Sequence, residues 1–401
     1  FGLCLVCAPA GAQTLPSEPI TVADGRVTIG GDVAASVGSS DPGFFNYTDY
    51  EYSALRMLRI DISAAVNAGE HVAVLGQVRM DMAIDDVRSA GVEPYALYLR
   101  YRPWTSQDVA VEIGRIPPAF GAFARRSYGS DNPLIGYPLG YQYLTTLRAD
   151  SLPANADELL RKRGRGWLDT FSIGDPTLKR GVPLVSAFNW DTGVQVHAGT
   201  DVVKGTFAVT TGTLSNPRLS DDNDGRQFAG RAELHPLPGL IVGTSLARGP
   251  FVSSNAVRAA VAKGARDGDF TQTAWGTDVE YSSGYFLGRF ESIWSRWRIP
   301  VIDPVAADLP LDAVSTSFEG RYKLMPGLYV ATRIDRLVFS DVVGTTQTLP
   351  WDAPAGRVEV GAGYSIQRNL LLKASVQRNS RNGGPLKQAE TLGAVQLVFW
   401  F

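Results

Sequence analysis

Residues 357–366 read Arg357-Val358-Glu359-Val360-Gly361-Ala362-Gly363-Tyr364-Ser365-Ile366. Val358, Val360, Ala362, Tyr364 and Ile366 alternate with charged, small or polar residues. A period of two puts successive side chains on opposite faces, so this is a strand with one apolar and one polar face. The same period recurs upstream. Val72, Val74, Gly76, Val78, Met80 and Met82 alternate with Gln77, Arg79 and Asp81. Phe228, Ala232 and Leu234 oppose Gln227, Arg231 and Glu233, while Phe318, Tyr322 and Leu324 oppose Glu319, Arg321 and Lys323. Sixteen such segments start near residues 27, 52, 71, 92, 109, 190, 203, 226, 239, 273, 285, 314, 327, 354, 369 and 388. Most run about ten residues, the length a tilted strand needs to cross a bilayer.

The connections alternate in length. Short turns built on Gly, Pro or Asn fall at Asn67-Ala68-Gly69, Pro103-Trp104-Thr105, His235-Pro236-Leu237-Pro238, Ser283-Gly284, Met325-Pro326-Gly327 and Gln367-Arg368-Asn369. Between them lie long connections at about 38–51, 117–189, 214–225, 250–272, 299–313, 340–353 and 380–387, and a shorter one near 84–91. Short turns at one end and long loops at the other describe an all-β, antiparallel, up-and-down transmembrane barrel. Backbone groups in hydrocarbon must pair internally, so the sheet closes, with apolar faces toward lipid and polar faces lining a wet lumen. The stretch 166–189 carries no clear assignment; another hairpin there would make eighteen strands.

Composition agrees. The 401 residues carry 38 Lys+Arg against 40 Asp+Glu, a net charge of −2, without the basic excess of a nucleic-acid binder. A content of 42 Gly and 24 Pro is too high for a helical bundle, and no run of about 18 apolar residues offers a spanning helix. At the N-terminus a short apolar run leads to Ala10-Gly11-Ala12, the small-x-small pattern before a signal-peptidase cut. Residues 1–12 are therefore read as the remnant of a signal peptide, 13–26 as the mature N-terminal segment, and 27–401 as the barrel. Cys4 and Cys7 both lie in the remnant, so a disulfide-stapled secreted domain is excluded.

The segment Thr391–Phe401 ends with Val395, Leu397, Phe399 and Phe401 on one face. It resembles the C-terminal assembly signal of Gram-negative outer-membrane barrels, with Phe401 as its terminal aromatic. With the loop parity and the export signal, the chain resembles the sixteen-stranded outer-membrane porins. That resemblance implies an outer-membrane location, contacts with lipid and lipopolysaccharide, recognition by the barrel assembly machinery through the last strand, and a homotrimer. It also implies that the long third external loop, here 117–189, folds into the lumen as a constriction. The loop opens Gly114-Arg115-Ile116-Pro117-Pro118-Ala119-Phe120-Gly121, similar to the strand-end segment G-x-F-K-x-P-F-G of the phosphate-selective porins. Gly114, Phe120 and Gly121 match; Ile116 replaces an aromatic, Pro118 lies one place early, and the Lys of that family falls on Pro117.

The expected function is passive diffusion of small hydrophilic solutes and ions, without a cofactor or bound metal. The constriction candidates are Arg100, Arg102, Glu112, Arg125, Arg126, Asp150, Asp157, Glu158, Arg161, Arg163 and Arg165, where loop charges facing wall charges would set a field across the pore. The wall adds Arg59, Arg79, Arg231, Arg321, Arg333, Arg357 and Lys373, against Asp61, Asp81, Glu233, Glu319, Asp335 and Glu359; the cation excess gives a mild anion preference. Arg suits such a ladder because its fork binds carboxylates bidentately and stays charged. The bland alternative is that these charges pair across strands. Ala154–Arg165 is expected to contain a short helix. Tyr95, Tyr101, Tyr322, Tyr364, Phe399 and Phe401 are expected outward as interfacial aromatics, and Tyr98 and Trp400 inward.

A structural barrel that tethers the envelope, for which a closed lumen is expected, is one rival to the general pore; two more stand beside it. One is a channel specific for anions or organic acids bound along the Arg ladder. The other is a barrel enzyme, for which His71, His197 and His235 are the residues to test, although none has a ligand-spaced partner and no G-x-S-x-G occurs. Asp221-Asp222-Asn223-Asp224-Gly225 has oxygens enough for Ca²⁺ but reads more simply as a turn.

Overall fold

The computed structural model describes residues 18–47, 53–83, 86–187, 190–218, 223, 225–264, 270–300 and 308–401, with side chains except at 86–91, 125, 300 and 308–309. The expected signal remnant, 1–12, lies outside the described residues, as do Asp221, Asp222 and Asp224 of the acidic turn.

Sixteen long antiparallel strands follow one another around the sheet: β1 Val27–Gly38, β2 Met57–Asn67, β3 Val72–Ala83, β4 Asp86–Tyr101, β5 Asp108–Ile116, β6 Asp191–Gly199, β7 Val203–Thr210 and β8 Gln227–Leu237. They continue as β9 Leu240–Pro250, β10 Thr271–Ser283, β11 Phe286–Pro300, β12 Asp308–Met325, β13 Leu328–Phe339, β14 Ala355–Gln367, β15 Leu370–Arg381 and β16 Ala389–Trp400. Each pairs with its neighbours in chain order, and β16 returns to β1 from Asp32↔Trp400 to Gly38↔Ala394. Gly31 and Phe401 extend the seam by exchanging both backbone hydrogen bonds at 3.0 Å. Gly38 is required there, since a Cβ would lie 2.6 Å from the Gly393 carbonyl oxygen. Where β16 ends, the short strand Ile20–Val22 pairs with Val27–Ile29 and continues the ladder. Among the described residues each of the sixteen strands has a neighbour on both sides, which is the condition for a sheet in hydrocarbon.

The expected strand starts match within about one residue at most positions. The exceptions are β2, which begins later, and β4, β10 and β12, which begin earlier because each runs further into its loop. No further barrel hairpin forms in 166–187: Ile173–Gly174 pairs only with Ser151–Leu152. The inside-out polarity is explicit in β14, where Val360 is 55% exposed while Glu359 between its neighbours is 0% exposed. Phe228, Trp275, Phe318, Ile334, Val376 and Leu397 repeat this exposed apolar belt on six other strands.

One inward–outward assignment is corrected. Tyr95, expected outward with Tyr101, is fully buried, and its hydroxyl donates to the Ala187 carbonyl at 3.1 Å. The register of β3 and β4 shifts between Gln77 and Val78, which pair with Ala96 and Pro94 and leave Tyr95 as the extra residue. Pro94 has no N–H for the ladder, so a bulge forms beside it and reverses the parity of the strand. Tyr101, Tyr322 and Tyr364 face outward and Tyr98 inward as expected.

Candidate functional site

Inward side chains of adjacent strands carry opposite charges at the same level, and most of them pair. Arg59 lies opposite Asp81 and Asp61 opposite Arg79 across β2 and β3. Arg59 binds Asp81 through Nε at 2.8 Å and Nη2 at 2.7 Å, and Arg79 binds Asp61 at 2.7 Å. The Arg79 guanidinium also lies 3.6 Å from the centroid of the Tyr95 ring. On the opposite wall Arg333 reaches Glu359 at 2.7 Å, with Glu319 and Asp335 at 3.3 Å. Arg231 bridges Asp278 and Glu233, and Arg100 binds Glu112 at 2.7 Å. Glu112 also accepts from Gln195 and faces His197 Nε2 at 3.2 Å. Arg59–Asp81, Arg79–Asp61 and Arg231–Asp278 are bidentate, the strong form of the ion pair. The wall ladder is therefore largely self-neutralised.

The connection 117–190 divides in two. Its first part crosses the lumen. Phe120 is fully buried, and Gly121, in the left-handed region at φ +74°, turns the chain so that its N–H meets Ser245 on β9 at 3.1 Å. Glu291 on β11 accepts from the Ala122 N–H at 2.7 Å and from the Tyr141 hydroxyl at 2.6 Å. Burial, then the Glu291 carboxylate, holds the Tyr141 hydroxyl well above its ordinary pKa. On the far side Lys373 Nζ donates to the carbonyls of Gly129, Asn132 and Leu134 at 2.9, 3.0 and 3.1 Å. Glu359 accepts from the N–H groups of Ile135 and Gly136, and Arg333 donates to the Gly136 carbonyl at 2.6 Å. A Cβ at position 136 would meet Gln377 Nε2 at 2.2 Å and Glu359 Oε2 at 2.7 Å, so a side chain there would displace the wall groups that hold the loop. Arg357 donates to the Tyr137 carbonyl at 2.8 Å and the Phe45 carbonyl at 2.7 Å. Several wall cations thus hold loop backbone.

The second part, 143–187, packs among the other long loops. Asp352, between β13 and β14, accepts from the N–H groups of Thr146, Gly164 and Ala353, each at 2.7 Å. Burial nevertheless raises the Asp352 pKa above its ordinary value, outweighing those three donors. A short helix forms as expected but only over Ala156–Arg161, with Asn155 capping it by accepting from the Glu158 N–H.

These two parts sort the constriction candidates. Arg126 lies in the lumen and binds Glu280 of β10 at 2.8 Å; the side chain of Arg125 lies outside the described residues. Asp150 is paired within the loop to Arg148 and Lys179. Lys179 also binds Asp175, whose pKa is pushed down chiefly by that ammonium. Asp157 accepts from the Thr345 N–H at 2.8 Å and its hydroxyl at 2.7 Å, and both bonds lower its pKa. Glu158 is buried, accepting from Ala154 and Ser172. Arg161 and Arg165 are exposed, and Arg163 leans on the Asn382 carbonyl between β15 and β16. These six residues, 150 to 165, stand at the long-loop mouth rather than across the lumen, since their partners come from loops. Arg100, near the end of β4, faces Glu112 in the middle of β5, and Arg102 is exposed in the short turn, where its N–H bonds the His71 carbonyl. Arg321 remains on the inner wall, over the Tyr329 ring at 5.7 Å.

Between the inward part of the loop and strands β8 to β12 a cavity of about 150 Å³ remains, bounded by Arg126, Arg231, Arg289, Glu233, Glu280 and Glu319 among others. Glu280 Oε2 bridges loop Arg126 and wall Arg289, both at 2.8 Å. Asp278, Glu280, Arg289 and Glu291 were missed in the sequence. They occupy alternate positions of β10 and β11, so the period-two reading applied there would have found them.

No family model matches this chain, and no curated relative does. Solved structures do. OmpF of Salmonella typhi, in complex with daunomycin, superposes with a TM-score of 0.58 at 12% identity, covering 96% of this chain and 100% of that one. The anion-selective porin of Comamonas acidovorans gives 0.56 at 10% identity over 94% and 99%. The outer-membrane channel DcaP of Acinetobacter baumannii gives 0.55 at 10% identity over 96% and 100%. A closed sixteen-stranded barrel with its long third loop folded inward is the fold of the sixteen-stranded porins, and this chain has it.

Proposed function

We propose that the chain is a porin of a Gram-negative outer membrane, a passive channel for small hydrophilic solutes and ions. One observation carries this reading: the barrel is apolar outside and charged inside, and its inward loop leaves a charge-lined gap against the wall beside Glu280. Lipid outside and water inside are the surroundings that satisfy both surfaces.

Selectivity in this proposal follows from which charges stay unpaired. At the gap Arg126 and Arg289 share Glu280, so the field there is weak. Arg102, Arg321 and Lys323 form no ion pair with a described carboxylate, and all lie toward the short turns. A mild anion preference therefore originates in the short-turn half of the lumen, in these three cations rather than in the whole wall ladder. Homotrimer assembly and contact with lipopolysaccharide belong to the same proposal. Liposome swelling with neutral sugars of increasing size tests it: a size-dependent rate above that of empty vesicles supports the channel, and no swelling with folded, inserted protein refutes it.

A further inference from the structure

Below the inward loop, toward the short turns, β12 to β16 enclose a cavity of about 650 Å³ roofed by loop residues Ser130, Asp131 and Pro133. Arg321 and Lys323 occupy successive inward positions of β12, opposite Ala331 and Tyr329 of β13. Inward residues two apart on a strand are about 7 Å from one another, so both cations reach one small anion. The contrast with the rest of the wall is direct. Arg59, Arg79, Arg231 and Arg333 are each bound to a carboxylate, whereas neither Arg321 nor Lys323 pairs with one among the described residues. Apolar surface is supplied by the Tyr329 ring beneath the Arg321 guanidinium, with Leu371 and Trp400 alongside, next to the polar Ser130 and Ser365. Asp131 is the one carboxylate among the residues lining the cavity.

We propose that this cavity is a binding site for small organic carboxylates with an apolar or aromatic body. The carboxylate is held by Arg321 and Lys323, and the body lies against Tyr329, Leu371 and Trp400. A guanidinium over an aromatic ring is oriented with its fork free for an anion, and the apolar walls favour a carboxylate over a bare inorganic ion. The proposal rests on the channel reading only in how ligand arrives; binding itself does not need conduction.

The test is calorimetric titration of the whole refolded protein in detergent with benzoate, then with inorganic phosphate. The same two anions are added on both sides of a planar bilayer carrying single channels. Benzoate is expected to bind saturably, more tightly than phosphate, and to reduce the current. Arg321→Gln and Lys323→Gln are each expected to weaken benzoate binding at least about tenfold, the loss of one charge-assisted hydrogen bond. Lys323 is exposed and makes no ion pair among the described residues, so Lys323→Gln keeps the test open if Arg321→Gln fails to fold. Equal binding by Lys323→Gln and wild type, phosphate binding as tight as benzoate, or no benzoate binding at all would overturn the site. Benzoate binding lost in the variants, in a protein that shows no conductance, would keep the site and remove the channel reading.

Discussion

Replacing Lys373 by Met keeps the length of the side chain and removes the ammonium that gathers the carbonyls of Gly129, Asn132 and Leu134. Hydrogen bonds to a charged group contribute roughly 1.5–3 kcal/mol each, so three give a gross loss of about 5–9 kcal/mol. Desolvating a buried ammonium costs several kcal/mol, and Met avoids that cost, which leaves a net penalty of about 2–4 kcal/mol. The penalty falls on the loop, because the ladder of β15 with β14 and β16 uses backbone groups only. Lys373→Met is therefore expected to fold into a barrel that resists unfolding in detergent like wild type. Its segment 127–136 should become accessible to protease, and its single-channel conductance should rise and become noisier. Unchanged proteolysis and conductance would refute the view that Lys373 holds the loop. Loss of the folded barrel would refute the separation of loop energetics from wall energetics.

Three further outcomes follow from the geometry. Glu280→Gln leaves Arg126 and Arg289 facing the gap without their shared carboxylate, so the reversal potential in a KCl gradient should move toward chloride; a move toward potassium would contradict the assignment. The Asp157 pKa is held below its ordinary value of 3.8 by Thr345, so its bonds to Thr345 contribute fully above that value and are lost as pH falls through the depressed one. Hydrogen exchange at the Thr345 amide should accordingly be constant from pH 7 to pH 5, after correction for intrinsic rates, and gain openness only at lower pH. His197→Asn removes contacts to Thr206 and Glu112, yet Arg100 and Gln195 still hold Glu112, so conductance should stay within about twofold of wild type; a collapse would assign His197 a role beyond the wall.

The barrel was legible because its signal is local. Alternation in a stretch such as Arg357–Ile366 reports strand and face together, and loop parity adds the architecture. Tyr95 escaped because a bulge beside Pro94 reverses parity with no cue beyond the proline itself. The charge ladder was legible as residues but not as pairs, since Arg231 meets Asp278 from two strands away and only register brings them together. Division of the long loop was hidden for the same reason. What sends 120–142 inward is the set of partners waiting on the wall, Glu291, Lys373, Arg333 and Glu359, and none of them is near it in sequence. Asp157 and Arg163 carry charges as suitable for a constriction as Arg126 does, yet their partners Thr345 and Asn382 belong to loops.

Single-channel recording from refolded protein in a planar bilayer, with a KCl gradient across it, tests the central claim most directly. The account predicts discrete current steps with a reversal potential leaning modestly toward chloride. Protein shown to be folded and inserted that gives no steps would contradict the channel.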